Sequence, residues 1–238
     1  MKWDVTAAQT FSLLCAWLVA LITPPRTLAN CEKRRALRAR KTETPLPLDG
    51  DPRKWRGAES VTFEGRPLGG KPRRATVYAL WNAQDLYLLF DVYSSELQAY
   101  VREHDGDKLW FDDGVEFLID PGHHRTKEYL PDDFAYHINI LNVVFDDRGT
   151  PSGKPDPKWN GTARHTVKIL DDHHYLIEVA VPWREIGREP EEGAAMGIDL
   201  CVNGKDPVTG EYDYFDWCGL SVFHDPSGFG DLKLAGPE

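Results

Sequence analysis

The sequence predicts an all-β domain, an antiparallel β-sandwich of jelly-roll type, preceded by an export signal. Three observations predict it. Short alternating or apolar runs recur between residues 75 and 220, with Gly, Pro, Asp and Asn clusters between them. No stretch outside the first thirty residues keeps a long 3.6-residue apolar period. Aromatic residues are abundant, with 8 Trp, 9 Tyr and 10 Phe, and strands favour them. The length of 238 residues, less a leader, suits one sandwich domain.

The elements follow in chain order. Lys2 supplies a positive start, and residues 11–22 (FSLLCAWLVALI) form an apolar run too short to span a bilayer comfortably. Pro24, Pro25 and Arg26 break it, and Thr27, Leu28 and Ala29 resemble a cleavage site, so residues 1–29 read as a signal peptide. The protein is therefore expected to be exported: secreted, periplasmic or held at the cell surface. Leu28-Ala29-Asn30-Cys31 resembles an imperfect bacterial lipobox, which makes Cys31 a possible lipid anchor. Residues 30–44 are basic, lack a usable period and read as a tether, with the folded domain starting at Pro45.

Strands are expected at residues 75–82, 85–93, 114–120, 134–145, 162–170, 174–181, 196–203 and 212–220. Cys201 and Cys218 flank a hairpin turn at Pro207-Val208-Thr209-Gly210, either as disulfide partners or as two separate buried thiols. In 114–120, Val115, Phe117 and Ile119 share one face while Glu116, Leu118 and Asp120 share the other. In 134–141, Phe134, Tyr136, Ile138 and Ile140 form the apolar face, opposite Ala135, His137, Asn139 and Leu141. If both polar faces lie in one sheet, Glu116, His137 and Asn139 converge. The formal net charge of -10 argues against nucleic acid and anionic membranes, because phosphate binding needs a basic surface.

Five segments, in order, resemble a known family. Leu48-Asp49-Gly50-Asp51 with Trp55 is similar to its "DGD…W" opening, and Ala79-Leu80-Trp81 with 86–90 (LYLLF) to its next two strands. Residues 110–120 (WFDDGVEFLID) resemble its "W-x-x-D-x-V-E-x-F-I-D" stretch. Residues 178–183 (EVAVPW) resemble its "E-V-A-I-P-W", and 228–232 its "F-G-x-L" close. The family is carbohydrate-binding module family 9, and the resemblance covers residues 45–236.

What the resemblance implies is a non-catalytic sandwich that grips a mono- or oligosaccharide between two tryptophans near bound calcium. Trp110 takes the first clamp position and Trp217 is the best candidate for the second. Glu116 falls on the family's sugar-binding glutamate. His137, with Asn139 beside it, stands where an arginine is common. Stacking a C–H face on indole and meeting hydroxyls with a few placed polar groups is the chemistry a sugar requires. Asp112, Asp113 and Asp120, with Asp132 and Asp133, offer hard oxygen ligands of the kind calcium prefers, or are solvated turn residues. Trp55, Trp81 and Trp183 read as core. The other readings are a ligand-less structural or adhesive surface domain, a glycoside hydrolase built on two carboxylates, and a haem-binding sandwich using Met196 as an axial ligand.

Overall fold

In a computed structural model, residues 35–237 are described, and their regular secondary structure is almost entirely strand. The expected signal peptide and Cys31 lie outside the described residues. Thirteen strands follow one another: β1 (Ala36–Lys41), β2 (Ser60–Leu68), β3 (Lys71–Trp81), β4 (Asp85–Tyr93), β5 (Gly114–Asp120), β6 (Phe134–Asn139), β7 (Val144–Gly149), β8 (Pro155–Asp156), β9 (Arg164–Asp171), β10 (His174–Pro182), β11 (Ala195–Lys205), β12 (Tyr212–Asp216) and β13 (Gly230–Ala235). Three single 3₁₀ turns, Pro52–Trp55, Leu109–Phe111 and Pro226–Gly228, complete the secondary structure among the described residues.

The strands form one sheet in the order β8-β7-β6-β5-β11-β13-β1-β3-β4-β10-β9, with β12 added to β11 and β2 to β3. The sheet curls until its two halves face each other. Val115, Phe117 and Ile119 of β5 share one core with Val77, Leu88, Phe90, Ile177 and Val179 of the other half, and the Phe90 and Phe117 rings lie 6.2 Å apart. That is the predicted sandwich, reached by bending a continuous sheet. The period-2 pattern explains the facing: the odd-numbered residues of β5 enter the core, while Leu118 packs outside with Ala135 and Phe229.

Two departures from the sequence reading concern the start of the domain and its cysteines. Residues 36–41 are not a tether. They form β1, which runs parallel to both β13 and β3, so the sheet is not wholly antiparallel. Leu37 and Ala39 turn inward and pair with Leu232 and Leu234, while Arg38 reaches Glu59 and Lys41 lies over the Trp81 ring. Two inward apolar residues among many basic ones are too few to register as a strand pattern.

The second departure is the cysteine pair, which is not a disulfide: Cys201 and Cys218 are both free. The β11–β12 hairpin exists, but its register sets Cys201 opposite Asp216. Cys218 falls two residues further on, level with Asp199, whose carboxylate accepts the Cys218 backbone N–H at 3.0 Å. Diagonal neighbours of that kind lie about 7–8 Å apart, and cysteines whose Cα atoms are more than about 7 Å apart cannot be bridged without moving the backbone.

The opening motif and the 178–183 motif meet at one buried carboxylate. Glu178 of β10 is fully buried and accepts hydrogen bonds from the Gly50 N–H at 2.7 Å and from Trp55 Nε1 at 2.8 Å, with Lys54 Nζ 2.8 Å away. Asp51 accepts the Arg53 N–H and so caps the turn that carries Lys54 and Trp55. The "DGD…W" and "EVAVPW" strings are thus two sides of one latch, and their residues serve the fold.

Candidate functional site

On the outer face of β5 and its neighbours, residues in register form a row across the sheet: Phe145, His137, Glu116, Cys201 and Asp216. Glu116 and His137 are direct cross-strand partners, as their alternation predicts. Trp110 comes to them on the Leu109–Phe111 turn just before β5. The turn is anchored by buried Leu109 and entered through Lys108 at φ 66°. The Trp110 indole is half-buried, with its ring 5.5 Å from Phe145 and 6.2 Å from His137.

These residues line a cavity of about 420 Å³ together with Asp147, Tyr212, Phe223, His224 and two prolines, Pro155 and Pro157. A chain of ring contacts runs around it from Phe145 through Trp110, Phe111, Tyr212 and Tyr214 to Phe223. The walls are therefore aromatic and the polar groups few, as in a site that takes a ligand with apolar faces and a few hydroxyls.

Glu116 is 2% exposed and makes no hydrogen bond among the described residues. Its ion-pair partner among the described residues is His137, whose Nδ1 lies 3.2 Å from Oε2 without hydrogen-bond alignment. Burial pulls the His137 pKa down. The Glu116 carboxylate, with Asp146 and Asp147 of β7 behind it, more than offsets this, so the net shift is upward. A raised histidine pKa stabilises the fold fully below the ordinary histidine range, and that contribution is lost as pH rises through the folded value. The stability difference between wild type and His137→Gln is therefore expected to shrink from about pH 5 to about pH 9, read from denaturation midpoints. A difference that stays constant or grows with pH contradicts the pairing.

Asn139 and Trp217 do not join this site. Asn139 is fully buried, donates to the Val101 carbonyl and to Asp112 Oδ2, and accepts from Leu141 and Val143 N–H groups. It closes the β6–β7 turn and steadies the segment leading to Trp110. Trp217 is 4% exposed and belongs to the main core; a Cβ at Gly230 would sit 2.6 Å from its ring. Met196 is also core.

The three aspartates expected to hold calcium do not fit that task. Asp112 accepts the Tyr100 and Val101 N–H groups, Asp113 those of Gln98 N–H and the Ser94 hydroxyl, and Asp120 those of His124 and Arg125. Burial pushes the Asp113 carboxyl up to about 7, which favours its neutral form. Among the described residues no three His, Cys, Asp or Glu side chains converge to hold a metal.

Sequence reasoning missed Asp147, Tyr212, Phe223 and His224. Asp147 had a signal: it stands two residues from Phe145, on the same face, once the turn between β6 and β7 splits residues 134–145 into two strands.

A β-sandwich with an aromatic-walled cavity over a carboxylate that accepts no hydrogen bond among the described residues defines a class, that of small-ligand binding modules. Residues 49–237 match the family described as carbohydrate family 9 binding domain-like, and the chain belongs to that family. The chain is 29% identical over 185 residues to endo-1,4-beta-xylanase A of Thermoanaerobacterium saccharolyticum. That match covers 76% of this chain and 14% of the xylanase, so the chain spans about a seventh of that relative. Two solved structures of a family 9 carbohydrate-binding module from Caldicellulosiruptor kristjanssonii share its fold. The complex with glucose has a TM-score of 0.67 at 22% identity, covering 84% of this chain and 97% of that one. The complex with cellotriose has a TM-score of 0.66 at 21% identity, covering 86% and 95%.

Proposed function

We propose that the chain binds a mono- or oligosaccharide without covalent chemistry, stacking a sugar ring on Trp110 over Glu116 and His137. The observation that carries this reading is Glu116, a buried carboxylate with no hydrogen-bond donor of its own, opening into a cavity walled by aromatic rings. Such a carboxylate needs a donor, and a sugar hydroxyl supplies one. Family membership and the glucose and cellotriose complexes of two fold relatives support the choice of ligand. The leader-like residues 1–29 support export, and Cys31 is the residue to which a lipid would attach.

Titration with glucose, cellobiose and xylobiose, followed by tryptophan fluorescence, tests the proposal. A saturable change is expected, weakened about tenfold or more in Glu116→Gln, because hydrogen bonds to charged groups are worth about 1.5–3 kcal/mol. A folded protein giving no change with any of them up to ~10 mM removes the reading. Glu116 and Asp147 in one pocket also meet the minimum carboxylate count of a glycoside hydrolase. Release of new reducing ends from cello- or xylo-oligosaccharides, lost in Glu116→Gln, would move the chain to that class.

A further inference from the structure

Glu116 and His137 are one carboxylate–imidazole pair lining the cavity. Asp147 and His224, on different elements, are another. Asp147 is on β7, and His224 is on the segment between β12 and the Pro226–Gly228 turn. The Asp147 carboxyl is 2% exposed. The Tyr129 hydroxyl donates to its Oδ1 at 2.9 Å, and Oδ2 has no hydrogen-bond donor among the described residues. His224 Nε2 lies 3.5 Å from Oδ2, too far for a well-made N–H···O bond, and is buried without a partner. Tyr129 presses edge-on against the His224 ring, with centroids 4.6 Å apart at 73°, and so fixes its orientation.

The arrangement repeats the one beside it, where His137 Nδ1 is likewise buried, unpartnered and 3.2 Å from a carboxylate oxygen. Folded proteins satisfy nearly all buried polar atoms. Two imidazole nitrogens left short at one cavity, each next to a carboxylate, point to a ligand that completes both. Each pair offers one acceptor and one donor. A hydroxyl uses both, donating its proton to the carboxylate and accepting from the imidazole N–H. A ligand carboxylate can accept from the imidazoles but has no proton to donate, so it leaves the Glu116 and Asp147 oxygens without a donor and sets a like charge beside them, with no Lys or Arg lining the cavity.

We propose that Asp147 and His224 are a second hydroxyl-binding station, so that the pocket selects a neutral pyranose with two free hydroxyls, one for each carboxylate–imidazole pair. This rests on the carbohydrate-binding reading and adds which sugars satisfy it.

Calorimetry with glucose, its monodeoxy analogues and glucuronate tests it, using wild type, His224→Ala and Asp147→Asn. Wild type is expected to lose about tenfold in affinity at each of two separate deoxy positions, and to bind glucuronate at least about tenfold more weakly than glucose. In His224→Ala, whose side chain is 30% exposed and outside the core, one of those two losses disappears while the other remains. Imidazole resonances of both His137 and His224 move on adding glucose. An unchanged deoxy profile in His224→Ala, a single required hydroxyl, or equal binding of glucuronate overturns the second station and leaves carbohydrate binding standing. A wild-type protein that binds no sugar overturns both.

Discussion

Replacing Glu178 by alanine is expected to destabilise the domain by about 3–5 kcal/mol, the cost of stripping one partner from a buried ion pair. The side chain is 1% exposed and meets Lys54, itself 16% exposed. Without it the Gly50 N–H and Trp55 Nε1 lose their acceptor. Trp55 sits in the small cluster formed by Leu46, Leu80, Tyr87, Leu89, Leu176 and Ala180, so the whole opening segment loosens from β10. Denaturant midpoints read the effect. Glu178→Gln should cost less, because its amide oxygen can still accept one of these bonds. A loss under about 1 kcal/mol in the alanine variant would show the latch to be incidental. Sugar affinity of the molecules still folded should be unchanged, since Glu178 lies in the other half of the sheet.

Trp110→Ala is expected to do the converse. Truncating a central aromatic anchor of a binding site costs about 2 kcal/mol or more, some thirtyfold in affinity. The residue is half-buried on a short turn whose packing is supplied by Leu109, so the unfolding midpoint should move little compared with the Glu178 change. Fluorescence of the remaining tryptophans or calorimetry reads the loss. Affinity within about threefold of wild type would mean that the ligand sits elsewhere on the molecule.

Much of this was legible from periodicity. Strands β4 and β5 fall on residues 85–93 and 114–120 as their patterns indicate, because both are bounded by sharp turn residues. The convergence of Trp110, Glu116 and His137 follows from alternation plus the pairing of β5 with β6. Trp217 was misplaced although the same rule was available. Phe215 and Trp217 share a face, and Phe215 is core, so Trp217 points inward while Tyr212, Tyr214 and Asp216 point out. Asn139 was misplaced for another reason. It shares the face of His137, but at the end of its strand, where an amide closes the turn it borders. His224 and Phe223 belong to an irregular segment after β12, and no period reveals which side chains such a segment folds over the sheet. The aspartates that resemble metal ligands were drawn off by backbone N–H groups of the segment from Gln98 to Val101 and of the loop after β5, contacts fixed by tertiary structure.

The placement of β1 between β13 and β3 bears on how the chain is made. The strand nearest the start of the domain cannot complete its pairing until Asp231 to Ala235 have left the ribosome, almost two hundred residues later. Its contact with Leu80 and Trp81 is available much sooner, but covers only two residue pairs. Closure of the sheet is therefore a late, long-range event. Until then β1 keeps its β13-facing edge open to other nascent chains, since β2 already covers most of the same edge of β3, and slow folding follows from contacts of such sequence separation.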